Sequence, residues 1–267
     1  MSETDPSLNN RIDQINTEYT KIIRVLGLPA SEDSAATESR GDLVKAKSKQ
    51  MQERERFILR YQKAIKAFIG RKTGDPSKVD GVWDLFLDKC LSGKLSRYNP
   101  EVGSFRYYLK KVLRTTCIEF EKRLARDRHL QMDTHWGVSV EDEDIQAESE
   151  FDLKLAESIF EKALMAVRQK DELFYHALRT ITSAISSGHP APSSRELSIL
   201  LSEQADKNIS EENARQIKSR ASRLFADGMI DEVADLIGST DLEEIENALI
   251  EIGILRYCKN ALARRRG

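Results

Sequence analysis

The sequence predicts an all-α protein built from two helical domains that are joined by an acidic, flexible linker. Apolar residues recur at intervals of three and four along most of the chain, which is the spacing of one helix face. Alternating apolar and polar runs do not persist, and no Asn-Gly hairpin turn occurs. Near the middle, residues 141–152 contain seven acidic residues and no basic one, which favours a solvated tether.

Composition and charge exclude several classes of protein. The 267 residues suffice for about two domains, and 40% hydrophobic with 32% charged residues indicates a globular, highly charged chain. The net charge of −2 argues against a uniformly basic coat for nucleic acid but leaves room for local basic patches. Three cysteines without a CxxC pair favour neither a disulfide framework nor a zinc knuckle. The start, MSETDPSLNN, lacks a secretory signal and no apolar run approaches a membrane span, so we expect a cytoplasmic protein.

Four amphipathic helices are predicted before the acidic stretch. Gly27 and Pro29 end the first of them, and the small polar residues 30–42 predict a flexible connection. The four helices cover about residues 8–28, 44–69, 78–91 and 104–128. We assign residues 1–52 to an N-terminal extension and residues 53–128 to the first domain.

The second half of the chain repeats this helical pattern. Residues 129–152 are assigned to the acidic linker, residues 153–230 to the second domain and residues 231–267 to a C-terminal extension. Within the second domain we predict helices over about 153–168, from there to 186, 194–205 and 210–230, with a break at 188–192. The extension begins with eight acids and no base between Asp231 and Glu251, so it could fold over the last helix as an electrostatic cover.

The helix predicted at 104–128 carries eight basic and three acidic residues. Arg106, Lys110 and Arg114 recur every four residues, and we expect this basic row on a helix face opposite the apolar one. Phe105, Tyr107 and Tyr108 begin the same helix. Cations neutralise phosphates while aromatic rings stack on unpaired bases, so the segment suits nucleic acid. The alternative is a surface helix of mixed charge whose aromatic side chains belong to the core.

A second basic cluster ends the second domain. Ser193 and Glu196 form a capping-box pattern before a short apolar helix, and Ser210 can cap a longer helix after a turn. Short helix, turn and longer helix are typical of a helix-turn-helix, whose second helix enters the major groove of DNA. The longer helix projects Arg215, Gln216, Lys218, Arg220 and Arg223, and Arg and Gln are the side chains that recognise guanine and adenine.

Patterns typical of catalysis do not occur. The four histidines are scattered, no HExxH pair could hold a metal ion, and no glycine-rich phosphate loop or GxSxG nucleophile turn is present. The carboxylates at Glu243, Glu244 and Glu246 are spaced as on a solvated helix face. The sequence therefore favours a protein that is not an enzyme, without catalytic residues, metal ligands or cofactor.

Three segments together resemble the sigma-70 family of bacterial RNA polymerase sigma factors. The segment VDGVWDLFL at 79–87 is similar to the region-two helix, and SRYNPEVGSFRYYLKKVLRTT at 96–116 to the loop and helix that handle the −10 promoter element. ISEENARQIKSRASRLF at 209–225 is similar to the −35 recognition helix. The matched regions, roughly 53–128 and 153–230, follow each other as in the short extracytoplasmic-function (ECF) group.

The resemblance implies roles for particular residues. Docking on the clamp coiled coil of core RNA polymerase falls to Asp80, Asp84, Leu85, Phe86 and Leu87. Capture and melting of −10 DNA falls to Phe105, Arg106, Tyr108, Lys110, Lys111 and Arg114. Recognition of the −35 duplex falls to Glu212, Arg215, Gln216, Lys218, Arg220 and Arg223. The implied partners are core polymerase, at its clamp and flap regions, promoter DNA and in some cases an anti-sigma factor.

We therefore expect a sigma factor that directs promoter recognition, DNA melting and transcription initiation. Two other interpretations remain open at this point: a helix-turn-helix regulator that acts without polymerase, and a sigma-like adaptor that binds polymerase without initiating. The acidic stretch could thread through polymerase in place of nucleic acid, or act as a plain tether. The sigma-factor interpretation requires that Arg106, Lys110 and Arg114 be open to solvent.

Overall fold

The computed structural model describes residues 58–92, 98, 102–127 and 140–267. Throughout these ranges the chain is helical and contains no strand, which confirms the predicted all-α class. The predicted helix at 8–28 and the connection at 30–42 lie outside the described residues, as do the first residues of the helix predicted at 44–69 and residues 129–139 of the predicted linker.

The described residues form nine α-helices, and four of them, over 79–91, 105–127, 172–186 and 194–205, begin and end near the predicted bounds. A 3₁₀ turn at Pro76–Lys78, capped by the Asp75 carboxylate on the Ser77 amide, links the first two. The helices are α1 (58–73), α2 (Val79–Leu91), α3 (Phe105–Asp127), α4 (Val140–Lys170), α5 (Glu172–Ser186), α6 (Ser194–Ala205), α7 (Glu211–Ile237), α8 (Leu242–Ile252) and α9 (Leu255–Arg266).

Two predicted boundaries are wrong. We expected an irregular tether up to residue 152, whereas residues 140–152 are the first half of α4. Apolar side chains recur every four residues at Ala147 and Phe151 and continue to Leu155, and that face is buried in spite of the acids around it. The helix predicted at 210–230 continues through the acidic residues to Ile237 and ends at Gly238, whose φ is 75°.

The described residues divide into two compact units, unit 1 up to Leu155 and unit 2 from Ala156 to Gly267. In unit 1, helices α1, α2 and α3 and the first half of α4 share a core of large apolar side chains. The members of this core with essentially no exposure include Ile65, Phe68, Ile69, Phe86, Leu109, Leu113, Phe151 and Leu155.

In unit 2, α5, α6 and α7 pack around two neighbouring clusters. One joins Ala177, Leu197, Leu201, Ile209 and Ala214, and the other joins Val167, Leu178 and Ala221. Helices α8 and α9 pack on the second half of α7, which buries Met229, Ile230 and Val233. The small residues of α7 let neighbouring helices approach closely: a Cβ on Gly228 would lie 3.4 Å from the Ala163 Cβ.

Candidate nucleic-acid interface

The basic row on α3, Arg106, Lys110 and Arg114, is paired with carboxylates of α4. Lys110 Nζ lies 2.7 Å from Asp152 Oδ2, and Arg106 Nε lies 3.5 Å from Asp152 Oδ1. Arg114 Nε lies 2.8 Å from Asp144 Oδ2, and the same guanidinium donates to Glu148. The side chains of Arg106, Lys110 and Arg114 are 13%, 9% and 34% exposed. The prediction of a solvent-exposed basic row is therefore wrong for this structure.

Helix phase explains the error. Positions 110 and 114 follow the buried Leu109 and Leu113 by one residue, a rotation of about 100°, so the basic row borders the apolar face instead of lying opposite it. From that border its side chains reach α4. The face that points to solvent is one residue further along, at Tyr107, Lys111 and Thr115. Of the six residues predicted to bind −10 DNA, Lys111 is the one that is exposed.

The aromatic side chains at the start of α3 form part of the packing of unit 1. The Phe105 ring lies 6.2 Å from Tyr61, 5.3 Å from Tyr98 and 6.3 Å from Tyr108, measured between ring centroids. Phe105 and Tyr108 are half-buried in this cluster. This is the alternative that the sequence left open, in which the aromatic side chains serve the core, while the exposed Tyr107 remains available to a partner.

A fourth cation, Lys72 on α1, joins the same contact and was not predicted. Its ammonium lies 2.7 Å from Asp144 Oδ1 and 3.8 Å from Glu143 Oε2. The signal available in the sequence was the four-residue spacing of Asp144, Glu148 and Asp152, which matches the spacing of the basic row. We interpreted those acids as a tether because their number dominated the local composition.

The residues predicted to dock on polymerase lie on both faces of α2. Asp84 is exposed, Leu87 is half-buried, and Asp80 is exposed with its carboxylate 2.9 Å from the Lys66 ammonium. Leu85 and Phe86 are buried in the core of unit 1. Their side chains are therefore not presented to a partner, and the prediction that they contact polymerase is not supported by their position.

In unit 2, the ends of α6 and α7 are set by the capping residues that the sequence indicates. The Ser193 hydroxyl accepts from the Glu196 amide, and the Glu196 carboxylate accepts from the Ser193 amide and hydroxyl. The two hydrogen bonds to the carboxylate hold the pKa of Glu196 below its usual value. Asp206 ends α6 at a φ of 47°. The Ser202 hydroxyl accepts from the Ile209 amide, and the Ser210 hydroxyl accepts from the Asn213 amide at the start of α7. A five-residue connection thus joins two firmly capped helices.

One outward stripe of α7 carries the predicted DNA-contacting side chains. The members of this recognition face recur at three- and four-residue steps and are all exposed: Glu212, Arg215, Gln216, Arg220 and Arg223. Arg215 Nη1 lies 2.9 Å from Glu212 Oε2 in a surface pair, which contributes little to stability. Within the described part of the chain, no carboxylate pairs with Arg220 or Arg223. Lys218 lies beside the stripe and is half-buried.

The C-terminal extension does not cover the recognition face. Its terminal arginines contact the second half of α7, where Arg265 Nη1 lies 2.8 Å from Asp231 Oδ1 and Arg264 Nη2 lies 3.4 Å from Asp227 Oδ2. The acids at 231–237 belong to α7 itself. The hypothesis of an electrostatic cover formed by this extension is therefore wrong, since the side chain of Arg215 is 62% exposed.

Comparison with known proteins returned no match from family models, none from curated proteins and none from solved structures. The described residues contain no cluster of three or more His, Cys, Asp or Glu that could hold a metal ion. Over the same ranges, every helix is too short or too polar to cross a lipid bilayer.

Proposed function

We propose that this chain is a subunit that directs RNA polymerase to promoters, similar to the ECF group of sigma factors, and that α6 and α7 form a helix-turn-helix for duplex DNA. The recognition face carries the proposal. Three arginines and a glutamine lie along one exposed side of a capped helix, two of those arginines without a carboxylate partner in the described chain.

The side chains of the recognition face suit the two tasks of a major-groove helix. Arg215 and Gln216 lie in the first two turns of α7, where such helices contact base edges, and they can donate to guanine and bond to adenine. Arg220 and Arg223 lie one to two turns further along and suit phosphates, which supply affinity without sequence preference. Glu212 forms a surface ion pair with Arg215 and can accept from cytosine.

In this proposal the protein is a cytoplasmic, non-enzymatic transcription factor with two helical domains. Unit 1 docks on core polymerase through the exposed Asp80 and Asp84, and its −10 function requires that α4 release the basic row. A second candidate is a helix-turn-helix regulator that acts without polymerase. Two observations favour it: the closed basic row leaves Lys111 as the exposed member of the predicted −10 set, and the burial of Leu85 and Phe86 removes two of the expected polymerase contacts.

Selection from a random 30-base-pair duplex library tests the DNA-binding part. We expect R220A/R223A to weaken binding of the selected duplexes by roughly tenfold or more and to lower its salt dependence, because two phosphate contacts are lost. Q216A should cost about 1–3 kcal/mol and relax preference at one base pair. The matched control K170A/K259A removes two exposed lysines from α4 and α9. An equal loss of affinity in that control would contradict the proposal.

Core RNA polymerase distinguishes the two candidates. A sigma factor should co-purify with core enzyme and give specific run-off transcripts from genomic fragments, and D84K should weaken that association while the helices stay folded. A polymerase-independent regulator should instead select palindromic duplexes without core enzyme and protect them as a dimer. Selection of such palindromes together with absent transcripts would overturn the sigma-factor proposal.

A further inference from the structure

Helix α4 places carboxylates against every cation of the basic row at regular intervals. Asp144, Glu148 and Asp152 recur every four residues, which corresponds to about 6 Å along a helix. Asp152 contacts Arg106 and Lys110, while Asp144 contacts Arg114 and Lys72. The composition predicts that this acidic stretch is solvated, but within unit 1 it is paired with four cations, Lys72, Arg106, Lys110 and Arg114.

An aromatic ring accompanies these carboxylates. Phe151 is fully buried, its ring stacks on Tyr61 with centroids 6.3 Å apart and planes inclined by 23°, and the Lys110 ammonium lies 5.6 Å from its centre. Negative groups at intervals of about 6 Å beside a stacked ring resemble the phosphates and a base of an extended single strand. The side of α4 that faces the basic row therefore presents the chemistry of a short piece of single-stranded nucleic acid.

The contact is charged and imperfectly hydrogen-bonded. Arg114 Nε, Asp144 Oδ1 and Asp152 Oδ1 are buried and have no hydrogen bond of good geometry among the described residues, although each lies within an ion pair. Burying charges is costly, and pairing them offsets that cost only when their hydrogen bonds are satisfied. A competing polyanion that supplies more oxygen atoms could therefore replace these carboxylates, provided that its contacts also offset the exposure of the buried Phe151.

We propose that Lys72, Arg106, Lys110 and Arg114 form a binding surface for single-stranded nucleic acid, and that residues 144–152 occupy this surface in the free protein as an internal mimic of the strand. Binding requires the mimic to leave, so the apparent affinity is reduced by the fraction of molecules in which the surface is closed. The inference rests on the proposed function in one respect: the nucleic acid that binds this surface is taken to be DNA.

Neutralising the mimic tests the proposal directly. The full-length D144N/D152N protein keeps the size of both side chains and removes the two carboxylate charges that between them contact all four cations, while Glu143 and Glu148 keep theirs. We expect it to bind a fluorescein-labelled 20-nucleotide single strand about tenfold or more tightly than the wild-type chain, measured by anisotropy, with a steeper salt dependence. The control D142N/E150Q removes the same charge from positions of α4 outside these ion pairs and should change affinity by less than about threefold.

Equal gains in the two double variants would overturn the proposal, because net charge alone would then explain the result. A gain for a duplex of the same length without a gain for the single strand would overturn the single-strand assignment. Circular dichroism of each variant reports whether the helices persist. Should D144N/D152N fail to fold, hydrogen exchange of the wild-type chain decides the question.

In that second measurement, saturating single strand should speed amide exchange across residues 141–152, because the mimic leaves the surface as the strand binds. Unchanged or slower exchange would overturn the proposal. The binding assays on R220A/R223A separate this proposal from the proposed function. If D144N/D152N gains affinity for the single strand while R220A/R223A binds duplex as tightly as the wild-type chain, the helix-turn-helix is contradicted and the mimic is supported. If R220A/R223A loses duplex binding while D144N/D152N shows no gain for the single strand, the helix-turn-helix is supported and the mimic is overturned.

Discussion

Lys110 and Lys111 are neighbours in α3 and have opposite environments. Lys110 is 7% exposed and paired with Asp152, whereas Lys111 is exposed. A helix turns by about 100° per residue, so a one-residue step moves a lysine from an internal contact to solvent. Counting charges in a segment identifies how many cations it carries, but the face on which each cation lies depends on which neighbouring helix packs there.

The same packing controls the chemistry of the cysteines, all three of which are buried. Burial raises the pKa of Cys117 to about 12 and that of Cys258 from 9.0 to about 11. At pH 8 the latter change lowers the thiolate population roughly a hundredfold. We therefore expect both thiols to react with iodoacetamide far more slowly in the native protein than in guanidinium, as mass spectrometry of trapped peptides would measure.

The raised pKa values of these two thiols make the folded protein less stable at high pH. Because both folded pKa values lie above 9.0, the thiol contribution to the free energy of unfolding is complete below pH 9. It is lost as pH rises towards the folded pKa, which is about 11 for Cys258 and about 12 for Cys117. Rapid labelling of either thiol in native buffer at pH 8 would show that the surrounding helices open readily, contrary to this expectation.

At the scale of elements, helix contacts depend on a few glycines. A Cβ on Gly81 of α2 would lie 2.7 Å from Phe120 Cε2 of α3, closer than side chains pack. At Gly70 of α1 the nearest atom would be Val79 Cγ2 at 3.6 Å, an ordinary contact. Both glycines lie within helices, where alanine is otherwise favoured by about 0.5–1 kcal/mol.

These distances predict opposite effects for the same substitution. G81A should destabilise the protein by about 1–3 kcal/mol, because the Phe120 ring must shift in a packed interface. G70A should stabilise it by roughly 0.5–1 kcal/mol by restricting the unfolded chain. Chemical unfolding of both full-length variants measures the two values. A stabilised G81A protein would mean that α2 and α3 do not approach as closely as described.

The C-terminal extension, residues 231–267, contributes to the core of unit 2. Helices α8 and α9 bury Ile245, Leu249, Cys258 and Leu262 while they cover Met229 and Ile230 of α7. Full burial of each large apolar side chain is worth about 1.5–3 kcal/mol, so their joint contribution is comparable to the total stability of a domain. The role of the extension is therefore structural support of the long helix that carries the recognition face.

Truncation tests this role. A chain ending at Thr240 should lose the cooperative thermal transition of unit 2 as followed by circular dichroism, because the second half of α7 becomes exposed. A chain ending at Arg265 removes only the surface pair of Arg266 with Glu246 and should unfold within a few degrees of the full-length protein. Retention of the full transition after removal of α8 and α9 would contradict their assignment to the core.

The helices of this protein could be predicted from local information. Apolar spacing predicted α2, α3 and α6 to within a residue or two, and Ser193 and Ser210 marked the starts of α6 and α7. The stripe of exposed side chains on α7 was also predictable, because Ala214, Ile217 and Ala221 define the opposite, buried side. These features depend on contacts within a few residues, and the sequence records such contacts directly.

Whether the acidic stretch at 141–152 is a solvated tether or a paired helix depended on tertiary structure. Seven acids within twelve residues predict a solvated tether, yet four of them lie against cations from α1 and α3 that are 30 or more residues away in sequence. Pairing across such distances depends on where the helices pack, and charge composition does not encode it. The sequence alone was enough to predict an all-helical chain and the open basic face of α7. The packing of α4 against α3 decided that the other basic face is closed by the chain's own carboxylates.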